Sequence, residues 1–313
     1  GIVAKPTDSP KAIFISCFSS VPLAPDFDYI LNGEGKSWQA GIDAISKLTE
    51  GKIYIGLPTD GANKLFAATK GVDITRFAGP HPAGNVGIQI HSTAPLNKGE
   101  VVWTINPQDV IAIGRLFLKG AYDSSKIIAL AGSEVKSPRY YRTWQGADLE
   151  ALLKKQVEGD NVRVISGDVL SGRNITKCQY LGYSDSLVSV IPEGDYYEAF
   201  GWAMPGFKKF STSRSFFSWM GSGKKEYVLD SNFHGEERAF VVSEEYEKVL
   251  PMDILPVYLL KAILANDIDK MEQLGIYEVI EEDLALCEYV CTSKIKVQDV
   301  LRKGINSMIK ELG

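Results

Sequence analysis

Two cysteines four residues apart carry the most reactive chemistry in the chain: Cys287 and Cys291, in "LALCEYVCTSKIKV" (284–297). On a helix they share one face. Their spacing is the last step of the bacterial iron–sulfur run C-x2-C-x2-C-x3-C-P, whose thiolates hold the metal. The rest of that run is missing. Leu284 and Glu281 stand where the two earlier cysteines would be, and Thr292 replaces the proline. A cluster takes about four thiolates, and Cys17 and Cys178 lie far off in the sequence. The segment therefore reads as a cluster module that has lost its metal, with Cys287 and Cys291 as vestigial positions. The plain alternative is two buried cysteines in a helix. Neither reading places iron here.

Other chemistry-bearing residues are sparser. "GPHPAGNVGIQIH" (79–91) holds two of the three histidines, without a third metal ligand at a useful spacing. His81, between prolines, reads either as a polar contact in a strand-end loop or as part of a structural turn. His91, after "IQI", reads as a strand-edge residue. His234 in "NFHGEER" has Glu236 and Glu237 beside it but no nucleophile at a recognisable spacing. "GEGKS" (33–37) resembles the end of a phosphate loop, yet Ile30 occupies the position of its leading glycine. "GSGKK" (221–225) reads as a surface hairpin. The aromatic run "DYYEAFGWAMPGFKKFSTSRSFFSW" (195–219) fits a flat ligand, a protein partner or scattered core aromatics. No residue is assigned a catalytic role, and no cofactor-binding residue is named.

The elements that must position these groups begin with strands at "KAIFISC" (11–17), "KIYIGL" (52–57) and "VDITRFAG" (72–79). A helix over 37–51 and a second, capped by Thr59 or Asp60 and running through Ala67 and Ala68, alternate with them. This order predicts a Rossmann-like parallel α/β domain over 1–121, closed by a capped helix at "NPQDVIAIGRLFLKG" (106–120). After the first strand, Pro22 and Pro25 stand where a dinucleotide fingerprint would carry glycines. Short strands at 126–132, 139–144, 162–167 and 186–194 surround a helix at 146–156, predicting a small β-grasp, SLBB-like α+β domain over 122–195. An aromatic-rich, irregular or β-rich extension follows over 196–240. A C-terminal helical domain, of degenerate ferredoxin-like kind, covers 241–313.

Composition bounds the rest. The chain has 313 residues, 45% apolar and 23% charged, with net charge −5. That balance argues against a nucleic-acid surface. Four scattered cysteines make no disulfide framework and favour a reduced, cytoplasmic setting. No stretch reaches the roughly 18 apolar residues that span a bilayer, so the expectation is a chain without a transmembrane segment, able to dock on a membrane partner.

The segments "KAIFISCFSSVPLAPDFDYIL", "GPHPAGNVGIQIH", "NPQDVIAIGRLFLKG" and above all the tail "LPVYLLKAILANDIDKMEQLGIYEVIEEDLALCEYVCTSK" resemble the A subunits of the sodium-translocating NADH:quinone reductase, the Nqr complex. The related C subunit of the Rnf complex carries two cysteine clusters in the matching tail. Here the first is absent and the second is reduced to Cys287 and Cys291. The resemblance implies a fragment lacking a small N-terminal domain. It also implies a peripheral subunit on the cytoplasmic face of the bacterial inner membrane, binding no cofactor itself. NADH, flavins and the iron–sulfur centre would be served by other subunits. Its partners would be the other Nqr subunits, above all the membrane-embedded quinone-side subunit, with a part in binding quinone. The rival readings are a flavin- and NADH-binding redox subunit of Rnf type and a soluble small-ligand-binding protein.

Overall fold

A computed structural model describes residues 2–61, 64–201, 203–211, 214–220 and 226–312. Its first layer is a parallel sheet of β1 (Ala12–Ser16), β2 (Lys52–Pro58), β3 (Asp73–Phe77) and β4 (Val102–Thr104), in the order β3-β2-β1-β4. The crossovers carry α1 (Phe27–Ile30), α2 (Gly35–Ile45), α3 (Lys64–Ala67) and α4 (Val86–Thr93), and α5 (Pro107–Lys119) closes the layer. β1 is apolar from Ala12 to Ile15 because both faces are covered there. Ile13 and Ile15 enter the core beneath α2 and α5, while Ala12 and Phe14 enter a smaller one with Ile90 of α4. α2 and α5 approach closely: a Cβ on Gly114 would overlap the Ser37 carbonyl, and one on Gly41 the Val110 carbonyl. α5 starts on Asn106, whose side chain accepts from Gln108 N at 3.1 Å, and ends on Gly120 in the left-handed region.

The second layer is a mixed sheet of β5 (Ser125–Ala131), β6 (Arg139–Trp144), β7 (Val162–Ser166), β8 (Arg173–Asn174) and β9 (Leu187–Pro192), in the order β6-β5-β9-β7-β8. β5 and β9 pair in parallel and every other pair is antiparallel, the arrangement of a β-grasp. α6 (Glu150–Gln156) contributes Leu153 to its core. Gln108 of α5 joins the two layers, exchanging amide hydrogen bonds with Ile127 N (2.9 Å) and Ile127 O (2.8 Å) of β5.

The C-terminal module packs α7 (Pro256–Leu264), α8 (Ile268–Gln273), α9 (Ala285–Val290) and α10 (Val297–Leu312), with short 3-10 turns between them. Its core takes in Ile88 of α4. Between β9 and α7 the described residues form no strand, only a 3-10 turn at Phe217–Met220, so the extension is irregular rather than β-rich.

Several local expectations change. The helix placed at 37–51 stops at Ile45, and Thr49 instead ties the chain to the entrance of β1 through Pro10 O (2.6 Å). The helix placed from Thr59 or Asp60 is a single turn at Lys64–Ala67, because Thr59 N still bonds to O of Phe77, the last residue of β3. β4, three residues long, had no recognisable pattern. His91 is helical and not at a strand edge. α4 is clamped between the sheet and the C-terminal module, so it is buried around its circumference and loses the polar stripe that marks a helix.

Candidate functional site

The first candidate lies at the carboxyl ends of β1 and β2, where open parallel sheets receive ligands. Ser16 Oγ lies 2.9 Å from Gly84 O and accepts from Gln89 Nε2 at 2.9 Å. Gln89 is buried and fills the space beside Gly56, where any Cβ would overlap its amide. Ser20 Oγ accepts from Gly84 N at 2.8 Å and meets His81 Nδ1 at 3.1 Å. His81, followed by a cis peptide to Pro82, is thus stapled to the loop after β1. Burial lowers its pKa.

A cavity of about 170 Å³ opens beside this staple, lined by Cys17, Phe18, Asp26, Leu57, Pro58 and Phe66 among others. Among the described residues no basic side chain lines it. Asp26 caps α1, accepting from Asp28 N at 2.8 Å and Tyr29 N at 3.3 Å. The helix-end amides that a pyrophosphate would use are therefore already paired with a carboxylate. The "GEGKS" stretch also puts a carboxylate at a helix start, there without a cap hydrogen bond. Glu34 is the N-cap residue of α2 and pairs with Arg115 of α5, whose guanidinium holds that carboxyl below its ordinary range. The residues at both places do not fit a dinucleotide phosphate.

The second candidate is the cysteine pair. Cys287 lies within α9, but Cys291 is its C-cap residue and leaves the helix, so the two do not continue one helical face. Both are buried in the core of the C-terminal module. Tyr246 Oη donates to Cys291 Sγ at 3.0 Å, and Cys287 Sγ approaches Tyr246 O at 3.9 Å. Burial pushes the Cys287 thiol up to about 12, so without a metal it stays protonated at neutral pH. Leu284 is fully buried at the position of a lost ligand. Cys17 belongs to another core and Cys178 is exposed. Among the described residues no group of three or more His, Cys, Asp or Glu side chains is placed to hold a metal ion. The donor set does not fit an iron–sulfur cluster.

A third arrangement has no counterpart in the sequence reading. α4 forms a polar seam with the C-terminal module. His91 Nδ1 meets Glu278 Oε2 at 2.7 Å, while its Nε2 accepts from Asp253 N at 3.1 Å. The proton therefore sits on Nδ1. Asn85 Nδ2 donates to Glu282 O at 3.0 Å. Asp283, 1% exposed, accepts from Ile280 N at 3.2 Å through Oδ2, while Oδ1 has no partner among the described residues. Its carboxylate presses on Gly87, where a Cβ would overlap it. Burial, reinforced by the charge of Glu282, raises the Asp283 pKa to about 7. The available signal was the set of amide side chains, Asn85 and Gln89, inside an otherwise apolar stretch.

The extension is the opposite of a sealed site. Tyr196, Tyr197, Phe200, Phe207, Trp219 and Met220 are all exposed. His234 lies 3.5 Å from Asp230, with Nε2 toward Oδ1, and its only ion pair among the described residues is with that group rather than with Glu236 or Glu237. The "GSGKK" stretch falls outside the described residues.

Residues 1–122 match the family pattern "NqrA second alpha/beta domain", and residues 127–177 match "NQRA C-terminal domain". The chain is 42% identical over 313 residues to the A subunit of the Na(+)-translocating NADH-quinone reductase of Klebsiella pneumoniae (strain 342), an alignment covering 98% of this chain and 68% of that protein. The chain belongs to the NqrA family, the A subunits of Na(+)-translocating NADH-quinone reductases. To the Vibrio anguillarum member it is 41% identical over 304 residues, covering 97% of this chain and 68% of the relative. The sequence motifs thus pointed to the correct family. Within it, the parallel layer falls in the first pattern, and most of β5 with β6 through β8 falls in the second.

Proposed function

We propose that this member of the family is a docking subunit of the reductase, peripheral on the cytoplasmic face of the membrane and without a redox cofactor of its own. The observation that carries the reading is the exposed aromatic extension, a large apolar surface on a chain whose described residues include no helix long and apolar enough to cross a membrane. Its occupant is the membrane-embedded quinone-side subunit, reached through Tyr196, Tyr197 and Phe200 of the extension and through α7, where Tyr258 and Leu264 are exposed. Flavins, NADH and the iron–sulfur centre belong to other subunits. The rival Rnf-type reading, a flavin- and NADH-binding subunit, is disfavoured by the carboxylates Asp26 and Glu34 at the two helix starts and by Leu284 and Glu281, which stand where two further thiolates would be needed. The uncharged-to-acidic cavity beside Cys17 supports a part in holding a quinone ring, which carries no phosphate.

The test is an optical spectrum with iron and flavin analysis of the intact subunit, followed by titration with NADH and with a short-chain quinone. The expected result is no flavin, no iron, no NADH binding and saturable quinone binding. Stoichiometric flavin or iron would contradict the cofactor-free reading. Absence of quinone binding would remove the cavity's role alone.

A further inference from the structure

Residues 204–220 hold three basic side chains, Lys208, Lys209 and Arg214, and no acidic one, in a chain whose net charge is −5. Phenylalanines, a tryptophan and serines are interleaved with them. Within the described part the chain folds back on itself. Phe217 N donates to Pro205 O at 2.8 Å, and Phe207 meets Phe217 at 6.1 Å between ring centroids. Gly206, in the left-handed region, leaves room for the Phe216 ring where a Cβ would stand. The result is a closed loop with its apolar groups outward: Phe207 is 61% exposed, Trp219 58% and Met220 63%. Lys209 is internally compensated by Glu198 and lies 5.2 Å from the Phe216 ring centre. Lys208 and Arg214 are exposed and have no ion pair among the described residues.

We propose that this basic–aromatic loop binds the headgroup layer of an anionic bilayer, placing Phe207, Trp219 and Met220 among the headgroups and Lys208 and Arg214 on lipid phosphates. Tryptophan at such a boundary keeps its apolar ring in the layer and its polar edge in water. Cations beside an anionic leaflet are attracted over about one Debye length. Protein–protein interface cores, by contrast, are depleted of lysine and serine, and this loop is rich in both. The negative charge of the rest of the chain keeps the contact local. One such loop gives only marginal, reversible attachment, so the inference rests on the docking reading for the second attachment.

The experiment is flotation of the intact chain with vesicles of phosphatidylcholine alone and of phosphatidylcholine with phosphatidylglycerol at three to one. Binding is expected to the anionic vesicles only and to fall with added salt. Replacing Lys208→Gln and Arg214→Gln together lowers the partition coefficient about 25-fold, about five-fold per cation. Phe207→Ser with Trp219→Ser also lowers it, with the circular dichroism spectrum unchanged. No binding to anionic vesicles, or binding that neither pair of replacements weakens, overturns the proposal. If the chain then still captures the integral subunits, docking stands and the loop faces protein. Vesicle binding without capture supports the lipid contact and overturns the docking reading.

Discussion

The cysteine-bearing C-terminal module and the aromatic extension are neighbours in sequence and opposites in construction. The first holds reactive residue types, thiols and carboxylates, and buries them against Tyr246, α4 and one another. The second holds residue types that usually fill cores and leaves them in water. Residue identity therefore points the wrong way in both places. A buried thiol is a small hydrophobe, and an exposed aromatic cluster is a surface awaiting a partner.

That contrast breaks most readily at the seam. Gly87→Val drives a side chain into the Asp283 carboxylate and is expected to cost about 3 kcal/mol or more, measured by urea unfolding, with early proteolytic release of the C-terminal module. An unchanged midpoint would mean that the seam is not packed as described. Asp283→Asn comes next. The folded-state pKa of about 7 lies above the roughly 3.9 of an unfolded aspartate. Between those values the native chain keeps a proton that the unfolded chain has released, so this group's contribution to stability falls as pH rises from about 4 to about 7. Removing the charge should make the variant more stable than its parent above pH 7, by on the order of 2–4 kcal/mol, and flatten the pH profile in that window. A variant less stable at pH 8 would show that the ionised carboxylate is needed. Cys287→Ala and Cys291→Ala should each cost about 1–2 kcal/mol in thermal or urea unfolding, through lost packing and, at Cys291, the lost Tyr246 bond. Their visible absorption should not change, whereas a metal ligand would alter it. Smallest is the paired replacement Tyr197→Ser and Phe200→Ser in the extension, expected to stay within about 0.5 kcal/mol of the parent. A loss as large as that at the seam would make the extension part of a core.

The parallel layer was legible because β1 and β2 are unbroken apolar runs, and α5 because Asn106, Pro107 and Gly120 mark its two ends. Two-sided burial is what hid α4, since it removed the polar stripe from a helix that looks like a strand. The seam was hidden for a further reason: Asn85 and Asp283 are almost 200 positions apart, and nothing local in either segment specifies the other. The cysteines were legible as an incomplete donor set, while their burial beside Tyr246 depends on packing that only the fold supplies. The extension displayed its aromatics plainly, but whether they lie inside or outside depends on strands, and none forms there among the described residues.

The most direct test of the docking account is affinity capture of the full-length subunit from gently solubilised membranes, with the captured integral proteins identified by mass spectrometry, for the parent and for the Tyr197→Ser/Phe200→Ser variant. The account predicts that the parent brings down the membrane-embedded quinone-side subunit and that the equally stable variant brings down far less. Equal capture by both, or capture of no integral subunit by the parent, would contradict it.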